Sequence, residues 1–326
     1  MTGPSSSFTS LRKAELHAHL NGCIPSAVVQ DLLREFSVPI PEGLNPETDL
    51  QIREPVGSLA EYFKPWCLLK LLPVGKTCLD RMISSALASL KVDGVDYVEL
   101  RNSPFSIAKQ NSISLEESLQ WLMDSLAAAV AQTGVDARLI PSLSRFDCTP
   151  DHGRKLLNAI KATNRRNIIV GVDLSGDEDK PVDPALSSFF RKAKEDMGLG
   201  ISIHAGETFI PSNIDWAVTE CGADRIGHGL AVAREPRLLD LLASRRICVE
   251  VCLSSNLLTG RVSSIAQHPV GQLIASGVPF VLCTDNPSVH NVPLSEEYAL
   301  FLKHFPNSNA LDSMYENQLK YAFRKV

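Results

Sequence analysis

Eight short apolar runs, most of them separated by amphipathic helix-like stretches, restrict this chain more than any other feature of its sequence. The runs are AELHAHL (14–20), DYVELR (96–101), ARLIPSL (137–143), IIVGVDLS (168–175), GISIHAG (200–206), DRIGHG (224–229), ICVEVCLSS (247–255) and PFVLCTD (279–285). Near-continuous apolar runs between helices read as parallel strands covered on the outside by those helices. The helix signals are explicit in SISLEESLQWLMDSLAAAVAQTG. Ser114 with Glu117 three residues on forms a capping box, and Gly134 ends the run. PALSSFFRKAKEDMGLG and EPRLLDLLASRRI read the same way. Eight such units predict an α/β fold, a (β/α)8 TIM barrel. A doubly wound sheet would usually carry a Gly-rich phosphate turn after its first strand, and none follows AELHAHL. The connection after the first strand is the longest. It contains SLAEYFKPWCLLKLLP (58–73), a helical excursion rich in aromatics and able to act as a lid. The 326 residues therefore divide into a flexible tail over 1–11 and one barrel domain over 12–326.

Charge and cysteine usage exclude several classes. A net charge of −5 argues against a chain-wide footprint for nucleic acid polymers or anionic lipid. No apolar run approaches the ~18 residues of a membrane span. MTGPSSSFTSLRKAEL lacks the apolar stretch of a secretion signal. The eight cysteines form no CxxC pair, and several lie inside apolar runs, as in ICVEVC and FVLC. They read as reduced, buried thiols of a cytoplasmic protein.

In a barrel of this kind the chemistry gathers at the C-terminal ends of the strands. Strand periodicity puts His17, His19 and Asn21 on one inward face. The fourth strand ends in Ser175-Gly176-Asp177, the fifth in His204 with Glu207 just beyond, the sixth in His228 and the eighth in Asp285-Asn286. A lone strand histidine is more often a hydrogen-bonded core residue than a ligand. Four of the eight histidines at the ends of three strands reverse that expectation. Neutral imidazoles with a carboxylate suit Zn²⁺, and His17, His19, His204 and Asp285 would supply the protein's share of one catalytic site. Such a metal supplies hydroxide at neutral pH. No lysine ends the fourth strand, where some two-metal barrel hydrolases carry one, so one zinc per chain is expected.

The motifs AELHAHLNG (14–22), YVELRNSP (97–104), VDLSGDE (172–178), HAGE (204–207), RIGHG (225–229), CLSSN (252–256) and CTDNP (283–287) occur in one order along the chain. In that order and spacing the sequence resembles the adenosine deaminase family over nearly its whole length. The resemblance implies that His17, His19, His204 and Asp285 bind zinc, and that Asp285 also orients or deprotonates the attacking water. His228 would steer the attack on C6 of a purine. Glu207, held protonated by burial, would donate to ring N1 as negative charge develops there. The Gly176 N–H would hold ring N3, where a bare Cα permits close approach. Relatives usually continue into a further helix beyond YENQLKYAFRKV (315–326).

Two departures from the family pattern bear on substrate. Asn21 stands where adenosine deaminases usually carry an acid that contacts the ribose 5′-hydroxyl. A carboxylate there would repel a 5′-phosphate by about 4 kcal/mol at 4 Å and an effective dielectric of 20. A neutral amide removes that repulsion. HAHLNG is similar to the branch acting on N6-methyl-AMP, which gives IMP and methylamine. Asn286 replaces the second of two usual acids; its amide can donate to purine N7, and the change also admits a different ring. Lys64 and Lys70 are candidate phosphate contacts, and Tyr62, Phe63 and Trp66 a candidate apolar lid wall. The expected partner is a small purine nucleotide or nucleoside. Plain adenosine, another amino-heterocycle and a non-catalytic binding protein of the same fold stay open as alternatives.

Overall fold

The computed structural model describes residues 8–57, 59–163, 167–306 and 308–324. Strands β1 (Lys13–His19), β2 (Val95–Asn102), β3 (Asp136–Ser144), β4 (Gly171–Ser175), β5 (Gly200–Ala205), β6 (Arg225–His228), β7 (Cys248–Val251) and β8 (Phe280–Leu282) pair in sequence order. Every pairing is parallel. The ring closes just beyond β8, where Ala18 bridges Asp285. There the His19 N–H donates to the Asp285 carbonyl (2.9 Å) and the Asp285 N–H to the His17 carbonyl (2.8 Å). The sheet with its interleaved helices is the (β/α)8 barrel that the sequence pattern implies.

Three expected strands are shorter than their apolar runs by three residues or more, the eighth keeping only Phe280–Leu282 of PFVLCTD. IIV at 168–170 contributes only an isolated bridge between Ile169 and Leu139 before β4 begins. LSS at 253–255, expected to finish the seventh strand, opens the helix Leu253–Leu258 instead. The cause lies outside the segment. Buried Glu297 accepts hydrogen bonds from the Leu253 and Ser254 N–H groups, both at 3.1 Å, so it satisfies the donors that a helix start leaves free.

Helix Leu115–Thr133 follows its signals: the Ser114 hydroxyl accepts from the Glu117 N–H at 3.0 Å, and Gly134 ends it at a φ of 73°. The long connection after β1 starts with the helix Leu20–Cys23, so Asn21 lies on a helix and not on the strand face expected for it. The helices Ser26–Glu35, Leu59–Tyr62 and Lys64–Leu69 and then the outer helix Gly75–Val92 follow. Of the tail expected over 1–11, residues 1–7 lie outside the described residues. The Phe8 ring meets Tyr298 edge-on at 6.1 Å, and its carbonyl accepts from Lys13 Nζ at 2.6 Å. All eight cysteines are free, and six are buried. Among the described residues no helix is long and apolar enough to cross a membrane.

The barrel interior is polar at its centre. Glu15, Glu99, Arg101, Asp173, Arg225 and Glu250 have no exposed surface. The floor is closed by Phe323, whose ring stacks on the Arg225 guanidinium at 3.6 Å and whose N–H donates to Glu99 at 2.6 Å. At Gly171 and Gly200 a Cβ would collide with that ring, so β4 and β5 admit it only as glycine.

Two substitutions separate local from long-range control of the helices. Ser114→Ala removes one cap and is expected to lower stability by about 1 kcal/mol in urea denaturation. Glu297→Ala strands two buried N–H groups, each costing about 1–3 kcal/mol, so its midpoint should fall well below that of Ser114→Ala.

Candidate active site

The strand ends bring the expected histidines together. Ring centroids of His17 lie 4.5 Å from His204 and 5.0 Å from His228. His17 Nε2 is 3.5 Å and His19 Nε2 3.3 Å from Asp285 Oδ1, and His19 Nε2 is 3.1 Å from His204 Nε2. One ligand atom each from His17, His204, His228 and Asp285 fall within 4.8 Å of one another. Five candidate groups therefore converge, with His228 as close to the centre as the expected ligands.

Local backbone makes this crowding possible. A Cβ at Gly227 would lie 2.9 Å from His17 Cε1, so the bare Cα of RIGHG leaves room for the imidazole. His228 and Asp285 adopt φ values of 65° and 64°, a left-handed conformation that costs a non-glycine residue about 1–3 kcal/mol. The Asp285 conformation is held by the ring-closing hydrogen bonds to β1.

Hydrogen-bond direction sets the chemistry of two rings. His17 Nδ1 faces Glu250 Oε2 at 2.7 Å, and His204 Nδ1 faces Asp173 Oδ1 at 3.1 Å. Burial opposes ionisation of both acids, but Arg101 and Arg225 hold Glu250, and His204 and Arg101 hold Asp173, well below the usual carboxylate range. Ionised carboxylates only accept, so both Nδ1 atoms carry hydrogen and Nε2 is the atom each ring has left for a metal. His17 Nε2 is buried with no hydrogen-bond partner. Burial, with His204 and His17 nearby, holds His19 down to about 3 and so neutral. Burial also opposes an Asp285 charge, yet contact with His17 and the other histidines keeps its carboxyl far below its ordinary value. Imidazoles with Nδ1 tied back to acids and Nε2 free, together with an ionised carboxylate, are the donor set that zinc takes.

Sequence reasoning missed the acids and arginines beneath this cluster. Glu250 accepts from Arg101 Nη2 at 2.6 Å and Arg225 Nε at 2.6 Å as well as from His17, and Arg225 Nη2 reaches Glu99 at 2.6 Å. The available signal was a charged residue inside an apolar parallel-strand run: VELR, VDL, RIG and VEV each carry one or more. Glu178, also missed, accepts from the N–H groups of Gly206 and Thr208 and from Asn213 Nδ2, which fixes the loop bearing Glu207. Burial and then Asp285 push the Glu207 carboxyl up to about 7, and its Oε2 lies 4.0 Å from His228 Nε2. The Ser255 hydroxyl donates to Asp285 Oδ2 at 2.7 Å.

The cluster opens into a cavity of about 590 Å³ whose lining includes Asn21, Gly176, Glu207 and Asn286. Tyr62, Phe63 and Trp66 of the excursion line it too, and Phe63 meets Phe146 edge-on at 5.7 Å. Gly176 holds a φ of 101° against Phe146. Asn21 donates to the Leu69 carbonyl at 3.0 Å and accepts from Asn102 at 3.1 Å, so its amide ties the excursion to the barrel. Asn286 turns its Nδ2 toward the Tyr62 hydroxyl at 3.4 Å, and its buried Oδ1 has no partner. Of the two candidate phosphate contacts, Lys70 lines the cavity, whereas Lys64 is paired with Asp49 at 2.8 Å.

The family model described as adenosine deaminase matches residues 12–325. An adenosine deaminase of Vibrio cholerae is 34% identical over 297 residues, covering 89% of this chain and 86% of the relative. A zinc-bound amidohydrolase from Burkholderia ambifaria superposes with a TM-score of 0.87 at 25% identity, over 100% of this chain and 89% of its own. The apo N6-methyl-AMP deaminase of Arabidopsis thaliana gives a TM-score of 0.84 at 27% identity, over 98% of this chain and 94% of its own.

The Glu207 environment has a measurable consequence in metal-free protein. A carboxyl raised from 4.5 to about 7 leaves the native state with more bound protons than the unfolded state between those values. Its contribution to stability therefore falls as pH rises from 4.5 to 7 and is level above. Glu207→Gln should match the wild type near pH 4.5 and exceed it by up to about 3 kcal/mol at pH 8 in urea melts. A difference independent of pH contradicts this environment.

Proposed function

The chain belongs to the adenosine deaminase family, and from that premise we propose that it hydrolyses the C6 amine of a purine nucleotide, with N6-methyl-AMP or a related N6-substituted AMP as favoured substrate and IMP plus an amine as products. The observation that carries the nucleotide reading is Asn21, a neutral amide lining the cavity where the family usually has an acid. An aspartate at that place would set a negative charge against a 5′-phosphate and an acceptor against the Leu69 carbonyl. Lys70 is the cation we assign to the phosphate. Likeness to the Arabidopsis N6-methyl-AMP deaminase supports the same substrate class. We place the reaction in the cytoplasm, in keeping with eight free thiols.

His17, His19, His204 and Asp285 would hold one zinc. Bound there, zinc lowers the pKa of a water to about 7 and so makes hydroxide available at neutral pH. The chain's own residues then direct the addition. Asp285, with Oδ2 held by Ser255, orients the attacking water and takes its proton. His228 donates toward the attacking oxygen. Addition at C6 moves charge to N1, and Glu207, protonated up to about pH 7, donates its proton there. Gly176 offers its N–H to N3, and Asn286 an amide to N7 once it leaves Tyr62. The C6–N bond then breaks, the amine leaves with the proton that Asp285 took from the water, and the carbonyl forms as the hydroxyl proton passes back to Glu207. Tyr62, Phe63 and Trp66 cover the ring and exclude water.

A second reading, deamination of adenosine itself, is favoured by the 34% identity to bacterial adenosine deaminases. Asn286 leaves room for a third, a different amino-heterocycle. One panel separates them: zinc-loaded protein assayed on adenosine, AMP, N6-methyl-AMP and adenine. The nucleotides should show the higher kcat/KM, and Asn21→Asp should lower it for nucleotides selectively. Turnover of adenosine alone defeats the reading of Asn21. Glu207→Gln is expected to cost about 10²–10⁴ in kcat, and full activity in that variant refutes its role as the acid.

A further inference from the structure

His228 differs from the other rings of the cluster in what stands behind it. Its Nδ1 meets an amide, Asn256 Nδ2, at 3.0 Å. The other end of that amide, Asn256 Oδ1, meets His268 Nε2 at 3.1 Å. His268 Nδ1 in turn accepts the N–H of Val270 at 3.1 Å. All three side chains are buried. Val270 is the first residue of the helix Val270–Ala275, so its N–H has no intrahelical acceptor and points outward as a donor.

This end of the chain has only one possible direction. A backbone N–H cannot accept, so His268 Nδ1 supplies a lone pair. Burial holds His268 down to about 3, so the ring is neutral and its single hydrogen must lie on Nε2. That N–H needs an acceptor, which puts the carbonyl end of Asn256 toward His268 and the NH₂ end toward His228. His228 Nδ1 must then accept. An imidazole that accepts at Nδ1 carries its one hydrogen on Nε2. The reversed amide would set two donors against each other at 3.1 Å.

We infer that Asn256 and His268 are positioning residues that lock His228 in the Nε2–H tautomer, the form that presents a hydrogen-bond donor to the cavity. The inference deepens the reading above by saying how His228 comes to donate. It also sorts the five converging groups. His17 and His204 keep a hydrogen on Nδ1 because carboxylates stand behind them, which leaves Nε2 for a metal, whereas His228 keeps its hydrogen on Nε2 because an amide stands behind Nδ1. A ring with its hydrogen on Nε2 cannot ligate through that atom, so His228 is set apart from the metal ligands despite its nearness. At 4.0 Å from Glu207 Oε2, the same N–H looks into the space where an attacking oxygen would come.

The test is spectroscopic first. Protein labelled with ¹⁵N-histidine reports which ring nitrogen of His228 carries hydrogen, with Glu207, the ligands and bound zinc left as they are. The wild type should show Nε2–H. Asn256→Asp keeps the shape but replaces the donor by an acceptor, so hydrogen should move to Nδ1. Its kcat should fall about a hundredfold or more, with KM and zinc content near wild type. Hydrogen on Nδ1 in the wild type, or an Asn256→Asp variant with unchanged tautomer or unchanged kcat, overturns the inference. If that variant does not fold, His268→Leu serves, because it leaves the Asn256 amide free to turn. His228 should then populate both tautomers, and a single Nε2–H form overturns the inference. Wild-type protein with the Nε2–H tautomer and no turnover of any purine would defeat the proposed reaction, while the tautomer lock itself would stand.

Discussion

The buried carboxylate of Glu250 is the interaction on which the rest of the centre depends. It is held by Arg101 from β2 and Arg225 from β6 and turns its remaining acceptor to His17 on β1. One charge on β7 thus ties the neighbouring strands β1 and β2 to β6 across the barrel interior. Removing one partner from a buried ion pair costs about 3–5 kcal/mol, because the other charge stays behind without compensation. The arginines are satisfied from further out. Arg225 also meets Glu99, the Tyr321 carbonyl and the Phe323 ring, so the floor of the barrel supports the histidine cluster above it.

A single device recurs around the cluster, and its result depends on the group behind each ring. An acceptor behind Nδ1 makes an imidazole offer a lone pair forward; a donor behind it makes the imidazole offer hydrogen. Glu250 and Asp173 do the first for His17 and His204, and Asn256 does the second for His228. Glu178 fixes the backbone on either side of Glu207, whose carboxyl then lies in a buried place near Asp285 and stays protonated at higher pH. The proposed acid, donor and ligands therefore differ by environment more than by residue type.

Much of this was legible in the chain because the barrel places function at strand ends. His17, His19, His204, His228 and Asp285 are found by that rule, with Glu207 one loop further on. What supports them was not legible. VELR and VEV show buried charges, but which arginine meets which glutamate depends on how strands meet across the barrel interior. LSS reads as strand because the group that turns it into a helix, Glu297, lies more than forty residues downstream. Nothing in the sequence around His268 ties it to the site, since its link to His228 runs through Asn256 and a helix start. Lys64 and Lys70 are six residues apart and equivalent in composition, yet only the fold shows that Asp49 takes one of them.

The most direct test of the account is the position of the metal itself. Crystals of zinc-loaded protein, measured on both sides of the zinc absorption edge, should show one anomalous peak. It should lie about 2.0–2.2 Å from Nε2 of His17, His19 and His204 and from an oxygen of Asp285, with His228 and Glu207 outside bonding distance. A peak bonded to His228 or Glu207 in place of one of those ligands, or a second peak of equal height beside it, would contradict the account.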